Sequence, residues 1–299
     1  MDVVVAAVQP QTYREDEERN VSVALKYIDE AADRGAKIVC FPEGYPGPYR
    51  GPPTYSAFEA LSAKAREREV YVLAGFVEKT DKFRKLGLKN VFFLAQRIIG
   101  PDGKLVGTYR RVQPNPPETD RFFMGKKIIA PGEELFVHKT EYGNLGFLIC
   151  SEIWCPELSR VLALNGADII FAPIGGAVYE TAENWKCLLR ARATENHVYV
   201  VAPQNLWGVE DGLGCIVSPE EVLAESKKPG IITATLNLDR LKWLREHTQR
   251  MEIPKPYKSI PGMLRYRRPE MFMKICEPQP NAMDFYYFRK KQSGPTKKR

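Results

Sequence analysis

An α/β fold containing a mixed sheet is predicted by three features of this 299-residue chain. Short apolar runs alternate with segments whose apolar residues recur at helical spacing, the pattern of β-α-β units. A Pro101-Asp102-Gly103 turn separates two further apolar runs and makes them a hairpin, so antiparallel pairing stands beside the parallel units. The composition, 44% hydrophobic and 27% charged, is globular, and the length allows a substantial core.

Val3 to Val8 reads as the first strand, stopped by Gln9-Pro10. A helix from about Asp16 carries Val21, Ala24, Leu25, Ile28 and Ala32 on one face and ends at Gly35. Ala36 to Phe41 is the second strand, most simply parallel to the first. Pro42-Glu43 then falls at its carboxyl end, where open α/β sheets place their ligands. A loop rich in Gly, Pro and Tyr (44–53) leads to a helix over 55–68. Strands follow at 70–77, 90–95 and 105–109. After residue 150 the alternation resumes, with a strand at 167–173, a helix at 179–196 and a strand at 197–202. A strand-turn-strand at 217–223, a strand at 231–236 and a helix at 238–250 complete it.

Cys150 stands out. The apolar run Leu145 to Ile149 reads as a buried strand, and Pro156-Glu157 reads as the first turn of a helix ending near Gly166. A cysteine between strand and helix start is well placed for a nucleophile, because the turn exposes the thiol and the helix terminus lowers its pKa. The alternative on these residues alone is a buried cysteine acting as a small hydrophobe.

Charge and cysteines narrow the function class. The net charge of +7 sits in one place: residues 251–299 hold 12 Lys/Arg against 4 Asp/Glu, while residues 1–250 hold 32 against 33. The body is nearly neutral and the excess belongs to a basic C-terminal arm, so nucleic acid is not the expected partner. No apolar run approaches the roughly 20 residues of a membrane span, and no secretory leader is expected. The six cysteines (40, 150, 155, 187, 215, 276) show no CxxC pairing, which favours reduced thiols and a cytoplasmic setting. His138, His197 and His247 have no metal-ligand spacing, and neither metal nor cofactor is expected.

Glu43, the basic Tyr109-Arg110-Arg111 and Cys150 each follow a strand. With their surroundings they resemble the nitrilase (carbon–nitrogen hydrolase) superfamily over residues 3–250. The resemblance is carried by Ala7-Val8-Gln9, Gly35-Ala36, Phe41-Pro42-Glu43, Asp102-Gly103 and Gly107-Thr108-Tyr109-Arg110. Further on it is carried by Ile149-Cys150, Pro156-Glu157, Arg192-Ala193-Thr194-Glu195-Asn196 and Asn205. It implies one hydrolase domain (1–250) folded as an α-β-β-α sandwich of two mixed sheets with outer helices. The arm (251–299) would pack on the body or on a neighbouring subunit of a homo-oligomer, at least a dimer.

The resemblance also implies roles. Cys150 would form a thioester with a small amide or nitrile, Glu43 would be the general base, and Glu118 would be the second glutamate that the family often carries. Arg111 stands where the family has lysine and Gln113 where it has histidine, so Arg111 would stabilise the oxyanion. Ser151-Glu152-Ile153-Trp154 replaces the usual Tyr-Asp-x-Arg. Ser151 and Trp154 would then contact substrate, Trp154 as an apolar wall, with Tyr45 and Tyr49 closing the pocket. Lys104, Lys126 and Lys127 fit no motif and read as surface charges. The implied activity is amide hydrolysis, with nitrile hydrolysis and acyl transfer sharing the same thioester. The alternative is a catalytically silent member that binds a ligand or protein.

Overall fold

The computed structural model describes residues 1–49, 55–116, 119–120, 125, 127–176, 181–208, 211–246, 264 and 267–277. Within them, two mixed sheets stack face to face and carry helices on their outer sides. The first sheet contains β1 (Asp2–Gln9), β2 (Ile38–Cys40), β3 (Tyr71–Thr80), β4 (Val91–Ile99), β5 (Leu105–Arg110), the two-residue β6 (Ile128–Ile129) and β13 (Gly230–Asn237). Its order is β13-β1-β2-β3-β4-β5, with β6 also paired to β4. The second contains β7 (His138–Thr140), β8 (Gly143–Phe147), β9 (Ile169–Phe171), β10 (Tyr199–Ala202), β11 (Gly214–Val217) and β12 (Val222–Ser226), in the order β12-β11-β10-β9-β8-β7. Each sheet has three adjacent parallel strands, β1-β2-β3 and β8-β9-β10, flanked by antiparallel ones.

The alternation of side chains along a strand splits the apolar residues between two cores. Val3, Val5 and Ala7 of β1 face the space between the sheets, where they meet Phe147, Ile169, Phe171 and Val201. Ala6 and Val8 face outward and pack with Ala24, Ile28 and Ala31 of α1 (Arg19–Asp33) and Leu61 and Ala65 of α2 (Phe58–Arg68). On the other side Ile170, Val200 and Ala202 pack with Leu162 of α3 (Pro156–Leu164) and Leu189 of α4 (Ala182–Asn196). Strands buried on both faces explain why the runs read as continuously apolar. Gln9 ties the sheets together. Its amide donates to the carbonyls of Ser226 and Lys228 at 3.0 and 2.8 Å and accepts from the Gly214 N–H at 2.7 Å.

Most elements fall where the pattern places them, with shifted ends. The first helix starts at Arg19 and the second at Phe58, and the hairpin at Pro101-Asp102-Gly103 is formed. The strand-turn-strand has its turn at Ser218 to Glu221, within the expected 217–223, and its strands run further out on both sides. α5 (Leu238–Glu246) follows β13, and residues 247–250 lie outside the described residues. β6 and β7 carry no legible signal, one being two residues long and the other the polar His138-Lys139-Thr140. Of the arm, residues 264 and 267–277 are described; Met271, Phe272, Met273 and Ile275 are exposed there. Among the described residues no helix is long and apolar enough to cross a membrane.

Phe147 sits at the centre of the inter-sheet core, stacked between Tyr109 and Phe171 with ring centroids 6.0 and 5.8 Å away. Phe147→Ala is therefore expected to lower stability by about 3–5 kcal/mol in denaturant unfolding. A loss within the range of surface substitutions would mean that this layer is not the packed core.

Candidate active site

Three loops converge at one edge of the sandwich. Glu43 stands three residues beyond β2, Cys150 three beyond β8, and Arg111 directly after β5. Each loop is held by its backbone. The Arg111 N–H donates to Leu94 O at 2.9 Å, and the Cys150 N–H to Pro173 O at 2.8 Å. The Asn205 amide donates to the carbonyl of Glu43 at 2.8 Å, which gives that motif residue its physical role. Gly44, with φ +67°, turns the chain directly after Glu43, and Gly75 packs so closely against it that no side chain fits there.

Cys150 has φ +54°, an uncommon conformation for a residue with a side chain and costing of order 1–3 kcal/mol. Glu152 provides much of what holds it. This fully buried carboxylate accepts from the Ile149 N–H at 2.7 Å, on the cysteine's own turn. It also accepts from the N–H groups of Val112 and Gln113 at 2.8 and 2.9 Å and from the Tyr109 hydroxyl at 2.9 Å. One carboxylate thus fastens the cysteine turn to the Arg111 loop. Burial raises its pKa to about 6, against the pull of Arg111 and of the Gln113, Ile149 and Tyr109 donors. The Arg192 guanidinium of α4 secures the far end of the same turn through the carbonyl of Ile153 at 2.9 Å.

The three functional side chains meet in a largely buried cluster. Arg111, only 1% exposed, donates from Nη1 to Glu43 Oε1 at 3.1 Å. Its Nε donates to Gln113 O at 3.1 Å, and its Nη2 to Asn115 Oδ1 at 3.0 Å and to the Ser151 hydroxyl. Four of its five N–H groups are thereby engaged. Among the described residues the fifth, on Nη1, has no acceptor. The Cys150 thiol lies beside the Glu43 carboxylate and the Arg111 guanidinium, close enough for both charges to act on it.

Electrostatics set the resting state. Burial raises the Glu43 pKa above the ordinary 4.5, partly offset by Arg111 and the thiol. Burial works against the Arg111 charge, but Glu43 first, then Cys150, Glu152 and Asp120, outweigh it and keep the guanidinium charged. Burial and then the Glu43 charge push the Cys150 thiol up to about 12. The expectation of a thiol activated by a helix terminus is corrected: a short 3₁₀ turn (Cys150–Trp154) separates the cysteine from α3, and burial, followed by the Glu43 charge, raises its pKa instead.

Several other expectations change. Trp154 does not wall the site. It is 45% exposed and packs edge-on against Trp185 of α4 in the outer layer, because the 3₁₀ turn rotates it outward. Tyr45 is fully buried, stacked on Phe41 with its hydroxyl on Asn20 O, and closes nothing. Tyr49 does lie by the site, edge-on to Trp207 and 3.4 Å from Asn205 Oδ1. Ser151 turns its hydroxyl to Arg111 and Asn115. Glu118, Lys126 and His247 lie outside the described residues. Two positions beyond Glu118, Asp120 is a buried carboxyl that accepts from Asn115 at 3.1 Å. Burial pushes it up to about 6 despite the pull of Arg111. Lys104 is the exposed charge expected, but Lys127 donates to Tyr49 O at 2.8 Å and so braces the Glu43 loop. Among the described residues no group of three or more His, Cys, Asp or Glu is placed to hold a metal ion.

Comparison with known proteins shows the family. The family model described as "Carbon-nitrogen hydrolase" matches residues 4–246. The chain belongs to the carbon–nitrogen hydrolase family. Within that family it is 30% identical over 268 residues to a deaminated glutathione amidase of Synechocystis, covering 82% of this chain and 96% of the relative. An omega-amidase of Xenopus tropicalis is 30% identical, over 76% of this chain and 86% of its own. An N-carbamoylputrescine amidase of Oryza sativa is 29% identical, over 90% and 93%. Among solved structures, an amidase from Nesterenkonia superposes with a TM-score of 0.71 at 22% identity, covering 91% of this chain and 96% of that one, a likeness of fold. As a member of the family the chain is a carbon–nitrogen hydrolase of amidase type.

Gly175 tests the geometry. A side chain here would run into the Glu43 carboxylate. Gly175→Ala is expected to reduce amide turnover at least about 100-fold, the scale of losing one positioned catalytic group, with unchanged far-UV circular dichroism. Full activity in that variant would show that Glu43 need not sit where it does.

Proposed function

We propose that the protein hydrolyses a small non-peptide amide through a thioester on Cys150, with Glu43 as the base and Arg111 as the fixed cation. The observation that carries this reading is the 3.1 Å pairing of Glu43 with Arg111, both charges acting on the buried Cys150 thiol beside them. A thiol whose pKa is near 12 is protonated at rest, so attack needs a base in contact with it. As the sulfur bonds to the carbonyl carbon, its proton passes to Glu43. The carbonyl oxygen becomes an oxyanion, which the remaining Nη1 N–H of Arg111 is suited to receive. Glu43 then gives the proton to the departing nitrogen, the C–N bond breaks, and ammonia or an amine leaves. Water loses a proton to Glu43 as it attacks the thioester, and the acid departs as the proton returns to sulfur.

Arginine at this position keeps its charge throughout. It has no part in proton transfer, which falls to Glu43 alone. The reading extends to a homo-oligomer in a reducing, cytoplasmic setting. Exposed Trp154, Val161 and Leu164 along the start and outer face of α3 support the first, and six unpaired cysteines support the second.

Incubation with a panel of ω-amides and carbamoyl amines, the substrate types that the relatives' names carry, followed by intact-mass analysis, is expected to trap an acyl adduct that Cys150→Ala abolishes. Absence of any adduct or turnover would favour the silent, ligand-binding alternative. Because Glu43 must be ionised, the acid limb of kcat/KM is expected above pH 4.5, with no alkaline loss from Arg111. A limb at or below the ordinary glutamate value would contradict the base assignment.

A further inference from the structure

Replacing lysine with arginine at a buried position brings a second terminal nitrogen, with two more N–H groups that need acceptors. Here both are met by one small device. Arg111 Nη2 donates to Asn115 Oδ1 at 3.0 Å and to the Ser151 hydroxyl, and that hydroxyl donates its own proton to the same Asn115 Oδ1 at 2.7 Å. The three side chains close a ring. The Asn115 amide nitrogen is anchored in turn on Asp120 Oδ1 at 3.1 Å, which determines which end of the amide faces the guanidinium.

This ring does something that packing alone would not. A guanidinium is planar, so fixing Nη2 and Nε fixes where Nη1 points. With Nε on Gln113 O and Nη2 held by Asn115 and Ser151, Nη1 is left to Glu43 with one N–H in reserve. A small residue at 151 also leaves space for the wider head group. Resting on the reading of Arg111 as the oxyanion's cation, we propose that Asn115, supported by Ser151, is the positioning residue that fits an arginine to this site. It acts through Nη2 and touches no reacting atom.

The claim concerns coupling, so a double-mutant cycle tests it. The single-turnover rate of Cys150 acylation by p-nitrophenyl acetate, read by intact mass, is compared in wild type, Asn115→Ala, Arg111→Lys and the double variant. Lysine has no second terminal nitrogen, so Asn115 has nothing to orient in that background. Asn115→Ala is expected to slow acylation roughly 10-fold or more beside Arg111 and less than about 3-fold beside lysine. Ser151→Ala should show the same dependence on background with a smaller loss. An equal loss in both backgrounds would reduce Asn115 to a structural residue, and no loss beside Arg111 would overturn the proposal. Should the lysine variants acylate too slowly to time, the more activated ester p-nitrophenyl trifluoroacetate, whose attack passes through the same oxyanion, replaces the acetate in all four proteins with the same deciding outcomes. The Arg111→Ala variant separates the two claims. If it acylates as fast as wild type, the role given to Arg111 fails, whatever Asn115 does.

Discussion

The Glu43–Arg111 ion pair is the constraint around which the active edge is arranged. Both groups are taken largely out of water, at a cost that neither would bear unpaired. Each neutralises the other at 3.1 Å, and the remaining polar atoms of the guanidinium are met by Gln113, Asn115 and Ser151. Around this pair the chain has little freedom. Asn205 holds the backbone of Glu43, Glu152 fastens the Arg111 loop to the cysteine turn, and Gly175 leaves room for the carboxylate. The same pair governs the thiol. On top of burial, Glu43 raises its pKa more than Arg111 lowers it, and the cysteine rests as a neutral thiol beside its own base.

The architecture was legible because the inner strands are buried on both faces and the helices carry a clear apolar stripe. Glu43, Arg111 and Cys150 were legible for a different reason: each stands just beyond a strand that the apolar pattern defines. Their convergence is a consequence of sheet order. β2 and β8 are each flanked by a parallel neighbour in opposing sheets, and the sandwich brings their carboxyl ends together.

What sequence could not show was the direction in which single side chains point. Trp154 lies four residues from the nucleophile, yet one 3₁₀ turn carries it to the outer layer beside Trp185. Tyr45 and Tyr49 are near neighbours in one loop, and one is sealed in the core while the other faces Trp207 and Asn205. Asn115, Asp120 and Glu152 carried no apolar pattern, and nothing in their spacing revealed a shared hydrogen-bond network. Buried carboxyls so close to a buried arginine become visible only when the loops are assembled. The one advance signal was the pairing of two departures from the family pattern, arginine at 111 and serine at 151, which now prove to touch.

The central claim is that Cys150 rests as a thiol whose proton must be removed by Glu43 during attack. An ultraviolet titration of thiolate absorbance near 240 nm, taken as the difference between wild type and Cys150→Ala, tests it most directly. The account predicts no Cys150 thiolate at pH 7–9 in the wild type, in keeping with a pKa near 12, and an earlier transition in Glu43→Gln, where the opposing charge is gone. A full thiolate signal from Cys150 at neutral pH in the wild type would contradict the account.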